Sequence, residues 1–161
     1  MGESEERPGV YLETTIVGHL ISRPSRDELV AWRQSLTRQW WDVDRCRYRT
    51  FISPEVIAEA GKGDPSAAEE RLRALSDIDM LDASAAIGDL AQRIQSELRI
   101  PDRARFDAAH LAYAVHYELD YLLTWNCAHL ANGPRLRRLA DFLQAESLWL
   151  PIVCTPAEMV L

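Results

Sequence analysis

Four acidic or amide side chains, far apart in the sequence, are of the types that could build a hydrolytic site. They are Glu13, Glu59, Asp107 and Asn126. Carboxylates that lie close together repel one another, so such a cluster persists when a cation binds it. Oxygen ligands without thiol or histidine partners suit Mg²⁺ or Mn²⁺, and such an ion assists hydrolysis of a phosphodiester. The four residues are therefore candidates for one metal-dependent site.

Strands and helices must bring these residues together. Residues 10–12 form a short β-prone run with Glu13 at its carboxyl end, and residues 121–125 form an apolar run of strand length that ends at Asn126. Glu59 lies on a short predicted helix, and Asp107 lies in the first turns of another. Sites in parallel sheets lie at the carboxyl ends of the strands. We therefore expect the four side chains to meet at that end.

The remaining elements alternate between strand and helix. Further strands are predicted over residues 48–53, 80–81 and 148–153, the last an edge strand because of Pro151. Helices are predicted over residues 16–21, about 26–41, 54–60, 65–75, 84–98, 107–119 and 133–145. A capping box at Ser25, and proline after a capping residue at two of the later helices, support these starts. Such alternation predicts an α/β fold with a mostly parallel sheet covered on both faces.

Composition indicates a single-domain soluble protein. At 161 residues, with 47% hydrophobic and 27% charged residues, the chain is long enough for one core and too short for two domains. Residues 1–8 are expected to be a flexible acidic leader, and residues 9–161 one domain. The leader lacks the features of a signal peptide, and no apolar stretch approaches the roughly 20 residues of a membrane span. With three widely spaced cysteines, we expect a cytoplasmic protein without a disulfide framework.

The net charge of −7 argues against tight autonomous binding of nucleic acid, because phosphate contacts usually need a basic surface. It does not exclude a nuclease, since a bound cation counts among the charges of such a site. Arginines cluster at two places. The clusters are Arg45, Arg47 and Arg49, and Arg135, Arg137 and Arg138. Each could follow a phosphate backbone or be a solvated face, and both interpretations remain open.

Four segments resemble the acidic-motif regions of PIN-domain proteins, in particular the VapC-type toxins of toxin–antitoxin pairs. The segments are Val10-Tyr11-Leu12-Glu13-Thr14-Thr15, Ile52-Ser53-Pro54 through Glu59, Asp107-Ala108-Ala109-His110-Leu111-Ala112 and Leu123-Thr124-Trp125-Asn126. The most specific part is Asp107-x-x-His110, followed by residues 120–126. The resemblance covers nearly the whole chain after the leader.

This resemblance implies a three-layer α/β/α PIN-like fold with a mostly parallel central sheet. It also implies an endoribonuclease, a hydrolase that cleaves RNA phosphodiesters with a water activated by Mg²⁺ or Mn²⁺. Homodimerisation and inhibition by a cognate antitoxin protein are implied as well. On this interpretation Glu13, Glu59 and Asp107 are catalytic metal ligands, directly or through water, and Asn126 is a supporting ligand.

Two positions depart from the pattern of the family. Glu13 stands where an aspartate is expected, and its extra methylene displaces the carboxylate. Asn126 stands where many members have aspartate, so an amide oxygen remains but one negative charge is lost. These departures support a second hypothesis, a catalytically weak PIN-domain module that binds RNA or a protein partner.

Neighbouring polar residues are predicted to support the site or to lie outside it. Thr14 could orient a ligand or a bound water through its hydroxyl, or could cap the next helix. His110 is predicted to pack behind the metal ligands. Asp120 should be a turn residue at the end of the sheet opposite Asn126. A strand rises about 3.3 Å per residue, so the intervening strand separates the two residues. Glu55 is expected at the surface or behind the ligands, and the histidines and cysteines lack the spacing of a zinc site.

Overall fold

The computed structural model describes residues 6–160 and contains a five-stranded sheet in which all paired strands are parallel. The strands are β1 (Gly9–Leu12), β2 (Arg49–Ile52), β3 (Asp79–Met80), β4 (Tyr121–Leu123) and β5 (Ile152–Cys154). Their order is β3-β2-β1-β4-β5, so β1 is central, and all of its residues are buried. The predicted parallel sheet is confirmed.

Seven α-helices within residues 6–160 cover this sheet. They are α1 (Thr14–Ile21), α2 (Glu28–Gln39), α3 (Pro54–Ala60), α4 (Pro65–Ala74), α5 (Ala85–Leu98), α6 (Arg105–His116) and α7 (Gly133–Ala145). Helix α1 packs against α2, α3 and α4, whereas α5 packs against α6 and α7. Helix α6 also contacts β1 and β4, and most of its residues are buried. The arrangement is the predicted three-layer α/β/α fold.

Local capping signals explain three of the helix starts. Ser53, Asp64 and Asn132 cap α3, α4 and α7, and each accepts a hydrogen bond from the backbone amide three residues later. Proline occupies the first turn of each of these helices, where its missing N–H costs nothing. Helices α3 and α7 therefore begin and end where the sequence predicts.

Helix α2 and the segment after it differ from the prediction. The capping box predicted at Ser25 is wrong, because Asp27 caps the helix. After its last residue the chain continues as a π-helical segment, Trp40–Asp44, instead of an unbroken α-helix to residue 41. Trp40 is fully buried, whereas Trp32 is half exposed.

Strands β4 and β5 are shorter than predicted. Strand β4 ends at Leu123 and not at residue 125, because the Trp125 amide donates to the Thr15 hydroxyl (2.8 Å) instead of to a neighbouring strand. Strand β5 begins at Ile152, four residues later than predicted. It lies at the sheet edge, as Pro151 indicated.

The first arginine cluster lies where β2 begins, at the end of the sheet opposite the carboxyl ends of the strands. Each of its arginines forms an ion pair. The pairs are Arg45–Asp77, Arg47–Asp44 and Arg49–Glu6. This pairing favours the interpretation of the cluster as a solvated structural face.

Residues 1–5 of the expected leader lie outside the described residues. The rest of that segment contacts the start of β2, because Arg49 donates its backbone amide to the Pro8 carbonyl and its side chain to the Arg7 carbonyl, both at 2.9 Å. No helix within residues 6–160 combines the length and apolar character needed to cross a membrane.

Candidate metal centre

The carboxyl ends of β1, β2 and β4 position the candidate site. Glu13 follows β1 directly, and Asn126 lies three residues beyond β4. Helix α3, which carries Glu59, begins two residues after β2, and Asp107 is the third residue of α6. Because the strands are parallel, the backbone positions of these four residues lie at the carboxyl end of the sheet, as expected.

Glu13 is buried, with 3% of its surface exposed, and hydrogen bonds hold one of its oxygens. Its Oε2 accepts from the Thr15 amide (3.1 Å), the Thr15 hydroxyl and the Thr124 hydroxyl (2.7 Å). Burial raises the pKa of Glu13, and the nearby His110 and these hydrogen bonds offset the rise only in part. The Thr15 amide bond also makes Glu13 the cap of α1. The capping role and a role in the site are therefore compatible.

A chain of hydrogen bonds supports Glu59. Its Oε1 accepts from the Thr14 hydroxyl (2.8 Å) and lies 2.6 Å from His110 Nε2. The other ring nitrogen of His110 lies 2.6 Å from the Tyr11 hydroxyl, which lies 2.7 Å from the Ser53 hydroxyl. His110, Tyr11 and Ser53 are fully buried. This series of hydrogen bonds therefore fixes the imidazole ring, and with Thr14 it holds the Glu59 carboxylate from two sides.

The protonation states of Glu59 and His110 follow from this pairing. Burial acts to raise the pKa of Glu59, but hydrogen bonds from His110 and Thr14, together with the charges of His110 and Lys62, more than offset it. The pKa therefore lies below its ordinary value. Burial acts to lower the pKa of His110, but the hydrogen bond to Glu59 and the charges of Glu13, Glu59 and Asp107 raise it above its ordinary value. An imidazolium paired with a carboxylate is the form that these contacts favour.

Asp107 forms a second group with Asn126 and His129. Its Oδ2 lies 3.1 Å from His129 Nδ1, and the Asn126 side chain lies near enough to lower its pKa. Burial raises the pKa of Asp107, and these neighbours lower it only in part. The Asn126 Oδ1 accepts from the His129 amide at 3.0 Å. The oxygen expected to be a supporting ligand is thus engaged in a turn.

The two groups adjoin, although they are not arranged as the sequence predicts. Glu13, Glu59 and His110 each offer a ligand atom within 4.8 Å of the others, and in the described part of the chain they are the one such cluster. His110, predicted to lie behind the ligands, is instead a member of this cluster. Asp107 and Asn126 lie beside it, close enough for the Asp107 charge to act on His110.

Other polar candidates lie elsewhere. Asp120 accepts a hydrogen bond (2.8 Å) from the amide of the first residue of β1, so it lies at the opposite end of the sheet, as predicted. Glu55 faces Tyr113, whose pKa is raised by burial and by this carboxylate. Within residues 6–160, His116 and Cys127 join no metal-binding cluster.

The sequence predicts no site role for five residues that contact the acidic groups or His110, directly or, for Ser53, through Tyr11. They are Tyr11, Ser53, Thr15, Thr124 and His129. The two threonines carry a detectable signal, because each lies within two residues of a predicted ligand. Nothing in the sequence pairs Tyr11 with His110, since that contact depends on how α6 packs against β1.

The donor set fits a hard divalent cation. Burial raises the pKa of both Glu13 and Asp107 because removal from water disfavours a charged carboxylate, and a bound cation would offset that cost. Carboxylate oxygens are the ligands that Mg²⁺ and Mn²⁺ prefer. Among the described residues His129 Nδ1 is buried, and its 3.1 Å contact with Asp107 Oδ2 lacks the geometry of a hydrogen bond, so this nitrogen is one more potential metal ligand beside Asp107.

Taken together, the sheet order, the two helical layers and the acidic cluster at the strand ends define a three-layer α/β/α PIN-like fold. Solved structures of toxin–antitoxin complexes contain chains with this fold. The sequence itself matches no protein-family model and no curated protein.

Three of these structures cover most of the chain. VapBC2 from Rickettsia felis, bound to a promoter DNA fragment, matches with a TM-score of 0.57 and 15% identity over 91% of this chain and 98% of that chain. A toxin–antitoxin complex from Klebsiella pneumoniae matches with a TM-score of 0.56 and 20% identity, over 91% of this chain and 97% of that chain. VapBC-1 from nontypeable Haemophilus influenzae matches with a TM-score of 0.57 and 12% identity, over 92% of this chain and 98% of that chain. Similarity at these identities shows a common fold.

Proposed function

We propose that this protein is a metal-dependent endoribonuclease and the toxin of a toxin–antitoxin pair. The observation that carries the proposal is the buried cluster of Glu13, Glu59 and His110, with Asp107 beside it, at the carboxyl ends of parallel strands. The fold that the chain shares with chains of VapBC complexes supports it.

Glu13, Glu59 and Asp107 would hold a Mg²⁺ or Mn²⁺ ion. Bound there, such an ion would neutralise charge on an RNA phosphodiester and lower the pKa of the attacking water. His110 Nε2 holds a proton against Glu59, so release of that proton is one way for the site to adjust its charge.

Hydrogen bonds preorganise Glu13 and Glu59 before any ligand arrives, and polar side chains adjoin Asp107. The supporting groups are Thr15 and Thr124 for Glu13 and Thr14 and His110 for Glu59, whereas Asn126 and His129 lie beside Asp107. Because these contacts already fix the side chains, little conformational entropy remains to be lost on binding. Asn126 acts here mainly as a polar neighbour that lowers the pKa of Asp107.

RNA, a cognate antitoxin protein and a second copy of this chain are the proposed partners, and the cytoplasm is the proposed compartment. Apolar side chains near the edge strand β5 support protein contacts, because they are between 37% and 58% exposed. These residues are Leu148, Trp149, Leu150 and Ile152. Trp40 is fully buried and therefore cannot contribute to a dimer face.

A binding module with weak or no turnover is the second candidate. It is favoured by the engagement of two potential ligand atoms, Glu13 Oε2 and Asn126 Oδ1, in hydrogen bonds to the protein. Fewer free oxygens would weaken metal affinity and with it catalysis.

Cleavage of a defined single-stranded RNA separates these candidates. We expect wild-type protein to cleave with Mn²⁺ and to stop when the metal is chelated. Asp107→Asn should lose at least about a hundredfold in rate, the upper range for removing a residue that merely supports a metal ligand. Asp89→Asn, on the exposed face of α5, is the matched control and should cleave at the wild-type rate. Equal background cleavage in every sample would contradict the proposed nuclease function and favour the binding module.

A further inference from the structure

A small cleft of about 250 Å³ adjoins the candidate metal centre. Glu59 and Asp107 form part of its lining, so it is continuous with the acidic groups. Lys62, Arg103 and Arg105 line the rest of it, together with Phe106. A protein with a net charge of −7 therefore places three cations around the opening beside its acidic site.

Phe106 helps to position two of these cations. Lys62 Nζ lies 5.1 Å from the centre of the Phe106 ring, and Arg105 Cζ lies 5.2 Å from it. Cation–π contacts at exposed positions are weak, but they bias long side chains towards one location. The aromatic ring thus keeps positive charge at the opening of the cleft.

The three cations form no ion pair with the acids beside them, although the Lys62 charge contributes to the lowered pKa of Glu59. In the described part of the chain, none of Lys62, Arg103 and Arg105 lies within 4.0 Å of a carboxylate oxygen, although Glu59 and Asp107 line the same cleft. All three residues are exposed. Their charges therefore remain available to an anion from solvent, and the carboxylates remain available to a cation.

This juxtaposition suits a strand of linked phosphates. A phosphate at the acidic centre requires a bridging cation, whereas a neighbouring phosphate on the same strand can be held directly by lysine and arginine. Neighbouring phosphates are joined covalently, so a strand bound at the centre must place another phosphate close by. An acidic segment of a protein would lack that fixed spacing.

We propose that Lys62, Arg103 and Arg105 bind the RNA phosphate next to the one positioned for cleavage. The inference rests on the proposed ribonuclease function and assigns the flanking contact of its substrate. These residues position the substrate, and they supply the local positive charge that the acidic chain otherwise lacks.

The test compares two double variants that each remove two positive charges. Arg103→Ala/Arg105→Ala alters the cleft, and Arg137→Ala/Arg138→Ala alters exposed positions on α7 that do not line it. With Mn²⁺ and single-stranded RNA, we expect the cleft variant to raise KM roughly tenfold while kcat changes less than about threefold. A plot of log kcat/KM against log salt concentration should be shallower by at most about 0.7 for the cleft variant, the value for one lost phosphate contact on a single strand. The α7 variant should keep the wild-type KM and salt dependence.

Each other outcome overturns the inference. An equal rise of KM in both double variants would mean that net charge, or an RNA contact that includes α7, governs RNA binding, and not the cleft. An unchanged KM in the cleft variant would show that these arginines do not contact the substrate, and weakened binding of a protein partner in that variant would assign the cleft to that partner. Calorimetric Mn²⁺ binding that weakens in the cleft variant would indicate damage to the metal centre instead. A wild-type protein that cleaves no RNA would remove the proposed function itself, a result distinct from all of these.

Discussion

Glu13→Gln should reduce Mn²⁺-dependent RNA cleavage by at least about a hundredfold while leaving the protein folded. The amide keeps the shape of the side chain and an oxygen that can accept from Thr15 and Thr124. It removes the negative charge that a cation at the centre requires. Initial rates at saturating Mn²⁺, compared with those of an exposed Glu97→Gln control on α5, measure the effect.

The same variant should not lose stability at neutral pH in the absence of metal. Burial raises the pKa of Glu13, so folding favours its protonated form. Its contribution to stability is therefore fully present below the ordinary value of 4.5 and is lost as the pH rises through the raised value. Glutamine cannot ionise and escapes that loss. Thermal unfolding without metal should give a Tm at about pH 7 that is equal to or above wild type, with the difference shrinking as the medium is acidified.

A variant that loses activity and also unfolds would contradict this account of Glu13. Such a result would make the residue a structural helix cap first, since a lost cap destabilises a helix without any metal. Loss of activity with retained stability is the pattern expected of a residue that costs stability in exchange for function.

Trp40→Ala should cost about 3–5 kcal/mol of unfolding free energy, a large part of the roughly 5–15 kcal/mol typical of a domain. Trp40 is fully buried in the π-helical segment after α2, and its ring stacks on Tyr48 with centroids 6.0 Å apart. Truncation to alanine leaves a cavity that the surrounding core cannot fill. Urea denaturation followed by circular dichroism measures the loss.

The neighbouring Trp41→Ala is the control for that experiment. Trp41 is only partly buried and stacks against the Arg45 guanidinium at 4.3 Å. Its removal should cost about 1 kcal/mol. Similar losses for the two tryptophans would contradict the assignment of Trp40 to the core.

Local signals predict this fold well where they are unambiguous. A capping serine, a proline and a closing glycine define α3 at residues 54–60, and these signals depend only on neighbours in sequence. The predicted start of α2 was wrong because two possible capping residues stand two positions apart in the sequence. Ser25 instead donates its amide to Gln34 (3.0 Å), a tertiary contact that no local rule contains.

The site was predictable in outline because the ends of parallel strands gather residues that are distant in sequence. That rule placed Glu13, Glu59 and Asp107 in one region. It could not place His110 inside the cluster, because the ring position depends on a bond to Tyr11 across two elements. It also could not show that the Asn126 oxygen is engaged by a backbone amide.

Anomalous diffraction from crystals grown with Mn²⁺ would test most directly whether these acids form one cation site. The account predicts a manganese peak about 2.1 Å from carboxylate oxygens of Glu13, Glu59 or Asp107, or joined to them through bound water. The peak should be absent from Glu13→Gln crystals grown in the same way. No manganese at this cluster in the wild-type protein, or manganese bound only at other acidic residues, would contradict the account.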